Sequence, residues 1–120
     1  MTKKEFISWI TDLGFIKTWN SKNEYSIFPG KGMQGIFSEK LYFTVEESSY
    51  YVDDFDIRIY FSKFTGGMSY GSNLGYFPLS SIGEFERTMI LSVLVKHFDE
   101  IPLGFKKYLR DSKIKNILED

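Results

Sequence analysis

The fold of this chain is decided at residues 55–61, which read FDIRIYF. Apolar side chains occupy every second position, and Asp56, Arg58 and Tyr60 stand between them. Because successive side chains of a strand point to opposite faces of a sheet, this alternation predicts a strand with one buried face and one solvent-exposed face. Such strands are typical of an antiparallel sheet whose core lies on a single side.

Other β-favouring segments precede this strand. Residues 15–19 and 24–28 are rich in aromatic and β-branched residues, and the four residues between them (NSKN) favour a turn, so a hairpin is predicted. Residues 41–45 alternate in the same way, and residues 46–49 are expected to form the turn that follows them. Pro29 and the glycines after it are expected to interrupt the strands.

A short helix is predicted before these strands, over residues 3–13. Thr2 and Glu5 form the pattern of a capping box, and Gly14 suits the left-handed residue that ends a helix. The apolar residues recur at helical spacing and lie on one face: Phe6, Trp9, Ile10 and Leu13.

Further helices are predicted after the strands. Ser81 and Glu84 form a second capping-box pattern, which predicts a long helix running to about residue 100. Residues 90–95 are apolar almost all round, and this is typical of a buried helix. Pro102 separates this helix from one or two short helices towards residue 118.

The order of these elements predicts one α+β domain over residues 1–120. It comprises an N-terminal helix, an antiparallel β-meander of about four or five strands, a long buried helix and short C-terminal helices, all packed on one face of the sheet. Five phenylalanines are expected in the core: Phe6, Phe55, Phe61, Phe85 and Phe98.

Composition excludes several classes of function. The 120 residues include no cysteine and one histidine, which removes disulfides, thiol nucleophiles and cysteine-ligated metals. The net charge of −1 disfavours a general DNA-coating protein. The longest apolar stretch, residues 89–95, is far shorter than the ~20 residues of a membrane span, and Glu5 and Asp12 interrupt any export signal. A cytoplasmic protein without a cofactor is therefore expected, with no contact to a membrane.

The most unusual segment is residues 66–76, which contain four glycines and two tyrosines. Regular structure is expected to stop here, and the lysine of a phosphate-binding P-loop is missing. Two interpretations remain open. The segment is either a mobile loop that presents aromatic anchors to a partner or a hairpin edge that folds back on the core. The candidate partner-binding residues are Met68, Tyr70, Leu74, Tyr76 and Phe77.

Two carboxylates could support metal chemistry. Asp54 and Asp56 lie two residues apart on a strand, so both project to one side and could together hold Mg²⁺ or Ca²⁺. The simpler interpretation is a solvated strand face, and it is favoured because this spacing alone is a weak signal.

A basic segment near the C-terminus offers a third type of site. Lys106, Lys107 and Arg110 could contact phosphates while Tyr60 stacks on bases, as in single-stranded nucleic-acid binding. The favoured interpretation is that these basic residues form the solvent-exposed side of helices. The only histidine, His97, is interpreted as a structural residue near the end of the long helix.

The leading functional hypothesis is a non-enzymatic interaction protein that binds and modulates a macromolecular partner, most simply another protein. A phage or mobile-element accessory protein fits the size, and a toxin-immunity inhibitor fits almost as well. A chain with no alanine and 12 lysines to 3 arginines is typical of an AT-rich genome. Single-stranded nucleic-acid binding and a metal-dependent enzyme at Asp54 and Asp56 remain alternatives, and self-association is left open.

Overall fold

The computed structural model describes residues 1–29, 37–65 and 68–111. The helices are α1 (Lys3–Leu13), α2 (Glu84–Val95) and α3 (Leu103–Asp111), with a short 3-10 turn at Leu79–Ser81. The strands are β1 (Ile16–Lys17), β2 (Glu24–Ile27), β3 (Phe37–Glu47), β4 (Phe55–Thr65) and β5 (Met68–Pro78). In the described part of the chain they form one antiparallel sheet in the order β1-β2-β3-β4-β5. The predicted α+β class, with helices packed on a meandering sheet, is confirmed.

Helix α1 is capped at both ends as predicted. The Glu5 N–H donates to the Thr2 hydroxyl at 3.1 Å, and the Thr2 N–H donates back to the Glu5 carboxylate at 2.9 Å. Gly14 adopts φ 117°, which is a left-handed conformation. Glycine adopts it at little energetic cost because it has no Cβ. This turn lets the Phe15 N–H donate to the Ile10 carbonyl at 3.0 Å and brings Phe15 back into the core.

The core lies between the helices and one face of the sheet. Leu41 and Phe43 of β3 stand opposite Phe61 and Ile59 of β4, and the first two side chains are fully buried. Phe6 of α1 packs edge-on against Phe43 with 5.6 Å between ring centroids. Because burial of each such side chain contributes roughly 1.5–3 kcal/mol, this face holds the helices on the sheet.

Two turn predictions need adjustment. The hairpin at residues 15–28 is present, but its strands β1 and β2 are shorter than the β-favouring runs. The turn expected at residues 46–49 is wrong, because β3 continues to Glu47 and the chain turns between residues 48 and 54. Strand β3 continues because Glu46 and Glu47 pair with Asp56 and Phe55 of β4.

The expectation that regular structure stops after residue 66 is wrong. Strand β5 occupies this segment and pairs with β4 from Met68 to Pro78, while Gly66 and Gly67 lie outside the described residues. Glycine, serine and asparagine have poor intrinsic β-propensity, but pairing with the strongly amphipathic β4 outweighs it. The second of the two open interpretations, a hairpin edge, therefore describes residues 68–76.

The limits expected for the long helix are also wrong. Ser81 does not cap α2, because its hydroxyl donates to the Pro78 carbonyl within the 3-10 turn. The helix begins after Gly83, whose N–H donates to the Glu86 carboxylate at 2.8 Å, and it ends at Val95. Ser81, which was predicted to be the N-cap of α2, therefore belongs to the 3-10 turn that follows Pro78.

Helix α2 is buried on one side only. Its core residues are Ile90, Leu91, Leu94 and Val95. Phe85 lies on the other side with 70% of its surface exposed, so its assignment to the core is wrong. Phe85 falls in the first turn of a helix whose N-cap was predicted two residues too early, at Ser81 and not at Gly83. The spacing of apolar residues in the sequence could not show which side of this helix faces the sheet.

Helix α3 begins after Pro102, as predicted, and packs against the end of α1. Phe105 is fully buried, and the Tyr108 hydroxyl donates to the Asp12 carboxylate at 3.2 Å. The further helix expected around Ile114 and Leu118 lies outside the described residues.

Candidate functional site

The described chain carries its longest open edge on β5. The order of strands ends at β5, so its outer side pairs with no other strand of the described residues. The strand has 11 residues and none of them is charged. Strands at a sheet edge present unpaired N–H and C=O groups that act as a template for another chain. The opposite edge, β1, is only 2 residues long.

Two candidate partner-binding residues are exposed near the start of this edge. Met68 stands opposite Thr65, and Tyr70 stands opposite Lys63. The two side chains share one face of the sheet, are 60% and 56% exposed, and touch through the Tyr70 hydroxyl and the Met68 sulfur at 3.7 Å. They form an exposed apolar pair directly beside the edge, and we call these two residues the Met/Tyr pair.

Two other candidates are turned inwards. Leu74 and Phe77 are partly buried and pack against the core. Phe77 stands opposite the buried Ile57, which explains its inward direction. These side chains stabilise β5 on the sheet, and in this conformation they are not exposed for contact with a partner.

The fifth candidate, Tyr76, is held on the other face of the sheet. Its hydroxyl donates to the Asp56 carboxylate at 2.8 Å, and the Arg58 guanidinium lies 5.3 Å from its ring centre. The hydrogen bond to Asp56 is the main reason that the pKa of Tyr76 is raised. Asp56 itself is only 5% exposed, so this bond serves a nearly buried carboxylate.

The five predicted partner-binding residues therefore do not form one surface. The Met/Tyr pair faces outwards, Leu74 and Phe77 face the core, and Tyr76 bonds to Asp56 on the opposite face. Alternation along the strand separates Tyr76 from Phe77. The Met/Tyr pair stands on the same face as Phe77 but nearer the β4–β5 turn, where its side chains are exposed.

A β-bulge limits the usable part of the edge. Ile59 stands opposite Gly75 and Tyr60 opposite Asn73, so Leu74 is an extra residue in β5. The Asn73 side chain accepts from the Gly75 N–H at 3.0 Å and so occupies a backbone donor beside the bulge. Regular pairing is left to residues 68–72, a length of about 17 Å. The role of Asn73 was not predicted from the sequence, although an asparagine two residues before a glycine is typical of such a local turn.

The face of the sheet opposite the core carries paired tyrosines and neutralised charges. The rings of Tyr42 and Tyr60 stack with 5.0 Å between centroids. Lys40 lies 4.6 Å from the Tyr42 ring centre and 3.1 Å from the Glu24 carboxylate. Burial is the main cause of the raised pKa of Tyr42, followed by the charge of Glu24. Because the cations here have aromatic or carboxylate partners already, this face is not a basic patch.

The residues proposed for nucleic-acid binding are not brought together. Lys106 and Lys107 are exposed on α3, which is anchored in the helix layer by Phe105. Tyr60 projects from the other face of the sheet, because its neighbour Ile59 points into the core. The side chain of Arg110 lies outside the described residues.

The two carboxylates proposed for metal binding have separate structural partners. Asp54 accepts from the Ser80 hydroxyl at 2.7 Å, from the Ser80 N–H at 3.1 Å and from the Phe55 N–H at 2.8 Å. The Ser80 hydroxyl is the main cause of the lowered pKa of Asp54. Asp56 accepts from Tyr76 instead. Among residues 1–29, 37–65 and 68–111, no group of three potential ligands comes close enough to hold a metal ion. Asp54 ties the start of β4 to the 3-10 turn, a long-range contact that no local pattern indicated.

The histidine packs against an aromatic ring. His97 follows α2, and its ring stacks on Phe61 with 4.6 Å between centroids and 27° between planes. This stacking agrees with the structural role predicted for His97.

Comparison with known proteins provides no relative from which a function could be transferred. No protein-family model, curated protein or solved structure matches this chain. Within the part of the chain that the structure describes, no helix is long and apolar enough to cross a membrane.

Proposed function

We propose that this chain is a non-enzymatic protein-binding module that takes up an extended segment of a partner protein along the outer edge of β5. The observation that carries the proposal is an 11-residue edge strand without a single charge, beside which the Met/Tyr pair is exposed. Strand addition to such an edge is a recurring mode of peptide recognition.

The chemistry of the edge supports both affinity and specificity. Backbone groups on the outer side of residues 68–72 bond to water when the edge is free and to a partner strand when it is occupied. Each exchanged hydrogen bond contributes about 1 kcal/mol net. Met68 and Tyr70 add an apolar anchor, and tyrosine is enriched among residues that dominate binding energy.

The absence of protective features along residues 68–72 also supports the proposal. Edge strands are commonly blunted by lysine, proline or a bulge, because an open edge promotes aggregation. In β5 the bulge at Leu74 and Pro78 protect only the second half. The first half stays pairable, as a docking edge must.

Within this proposal the chain modulates its partner as a phage or mobile-element accessory protein or as an immunity-type inhibitor in the cytoplasm. The alanine-free, lysine-rich composition supports an AT-rich source. A domain without cysteine does not depend on disulfides, which suits a reducing compartment.

The experiment is a selection of peptides from a random display library on the immobilised wild-type chain, followed by affinity measurements on the selected peptides. Tyr70→Ala is expected to weaken binding by about 2 kcal/mol, or roughly 30-fold. Val52→Ala is the matched control, because Val52 is 91% exposed in the β3–β4 turn, away from the edge. Bound peptide is expected to slow exchange of those amides of residues 68–72 that point away from β4.

Two results would overturn the proposal. In the first, no peptide is enriched on the wild-type chain over a blank surface. In the second, peptides bind equally well to the wild type and to Tyr70→Ala, without slowing amide exchange at residues 68–72.

A further inference from the structure

We propose that, in the absence of a partner, the edge of β5 pairs with the same edge of a second copy of this chain, giving an antiparallel two-fold dimer centred on Tyr70. This inference rests on the proposed function in one respect: both use residues 68–72 as a pairing template.

The charge pattern of the edge favours self-pairing. In a two-fold pair each strand faces a copy of itself, so a charged residue near the centre would face its own like charge at short range. Like charges directly opposite each other destabilise a strand pair. Residues 68–72 read MSYGS and carry no charge. The nearest charge on β4, that of Lys63 opposite Tyr70, is of a single sign but has the Glu39 carboxylate of β3 at 3.9 Å, on the side away from the edge.

The bulge fixes the register. Directly opposite residues in an antiparallel pair share a face, so Tyr70 at the two-fold axis stands opposite its own copy and Met68 stands opposite Ser72 of the second copy. This register uses the five positions from Met68 to Ser72, which lie between the β4–β5 turn and Asn73, the residue directly before the bulge at Leu74. It also joins the two sheets continuously, with the helices of both copies on the same side.

The contacts at the axis bury the apolar pair. The two Tyr70 rings meet on the face that carries Met68, and each ring has the Met68 side chain of the other copy as a diagonal neighbour. Alternate opposed residues exchange two hydrogen bonds, so five positions give about four to six between the copies. Position 71 of each copy stands opposite position 69 of the other, and Gly71 brings no side chain to that contact.

The size of this interface indicates a reversible dimer. Five residues from each copy bury less than the ~1,200 Å² of a stable interface. Dimerisation therefore depends on concentration, and a partner segment that binds more tightly displaces the second copy from the same edge.

The experiment uses the lack of cysteine in the natural chain. The Tyr70→Cys variant carries a single thiol at the two-fold axis, where opposed Cα atoms about 4.5–5.5 Å apart suit a disulfide. Val52→Cys is the control, because Val52 is more exposed than Tyr70 (91% against 56%) but lies in the β3–β4 turn. Under the same mild oxidant, Tyr70→Cys is expected to form a disulfide dimer at least about tenfold faster than Val52→Cys.

Sedimentation of chains without cysteine provides the second measurement. The wild type is expected to dimerise as its concentration rises. Tyr70→Lys, which places like charges at the axis, is expected to dimerise about tenfold more weakly, and Val52→Lys as the wild type does.

Equal disulfide rates for the two cysteine variants overturn the dimer, and so does a wild type that stays monomeric at every concentration. If library peptides still slow exchange at residues 68–72 in that case, self-pairing alone has failed and the proposed function stands. If the outward-pointing amides of residues 68–72 are never protected, both have failed.

Discussion

Replacing Gly104 with alanine is expected to destabilise the protein strongly, because α3 crosses the end of α1 with no room for a side chain. A Cβ at Gly104 would overlap the Asp12 carbonyl oxygen and would lie 2.9 Å from the Leu13 carbonyl carbon. Both atoms belong to the backbone and cannot rotate away. The two helices would therefore have to separate by roughly 1 Å in an interior packed as densely as a crystal.

The size of the effect follows from what α3 buries. An inserted methyl group in a packed core costs about 1–3 kcal/mol. If α3 instead leaves the core, Phe105 and Leu109 lose burial that contributes roughly 1.5–3 kcal/mol each. We therefore expect the free energy of unfolding to fall by about 3 kcal/mol. Urea denaturation followed by tryptophan fluorescence measures this change, since Trp9 lies 6.4 Å from Tyr108 of α3 between ring centroids.

Gly71→Ala is the matched control. A Cβ at Gly71 would lie 3.8 Å from the Phe61 carbonyl oxygen, which is an ordinary contact. Its free energy of unfolding is expected to stay within about 0.5 kcal/mol of the wild type. The packing account is refuted if Gly104→Ala unfolds at the same urea concentration as Gly71→Ala.

Three further expectations concern single side chains. Tyr76→Phe removes the hydroxyl that donates to Asp56. Because folding raises the pKa of Tyr76, this hydrogen bond stabilises the fold fully below about pH 10, and its contribution is lost as the pH rises through the raised pKa. In thermal melts the gap between wild type and Tyr76→Phe is therefore expected to be constant near neutral pH and to narrow above about pH 10. Asp54→Asn removes a carboxylate whose pKa is lowered mainly by the Ser80 hydroxyl, so its contribution is complete above the ordinary value of 3.8 and is lost as the pH falls through the lowered value. Melts from neutral pH into acid are expected to show the gap between wild type and Asp54→Asn closing only below pH 3.8. Phe85→Ser is expected to change the free energy of unfolding in urea by less than about 0.5 kcal/mol, because Phe85 is exposed on α2.

Each of these expectations has a contrary result. A gap for Tyr76→Phe that is unchanged in alkali, or one for Asp54→Asn that is unchanged in acid, would contradict the hydrogen bonds described for those side chains. A loss of several kcal/mol in Phe85→Ser, on the scale of a core phenylalanine, would place that residue in the core after all.

The elements with a strong local pattern could be predicted from the sequence. Thr2, Glu5 and Gly14 define α1 because a cap is made by residues close together in the chain. The alternation at residues 55–61 defines β4 because one face of the strand is buried. In both cases the local preference and the tertiary packing favour the same structure.

The candidate site could not be predicted in the same way, because it depends on contacts distant in sequence. The composition of β5 favours a loop, and only its pairing with β4 makes it a strand. The direction of Tyr76 is set by Asp56, which lies 20 residues earlier. Likewise, Asp54 bonds to Ser80 across 26 residues, so two carboxylates that looked like a pair act separately.

Hydrogen exchange of those amides of residues 68–72 that point away from β4 tests the central claim most directly, namely that this edge of β5 is free to receive another strand. The rates are compared in dilute protein, in concentrated protein and with a saturating selected peptide, and α2 serves as the internal reference. We expect fast exchange when the protein is dilute and slow exchange in the other two states, with no change in α2. Slow exchange already in dilute protein would mean that the chain covers its own edge, and fast exchange in all three states would mean that no strand adds to it; either result would contradict the claim.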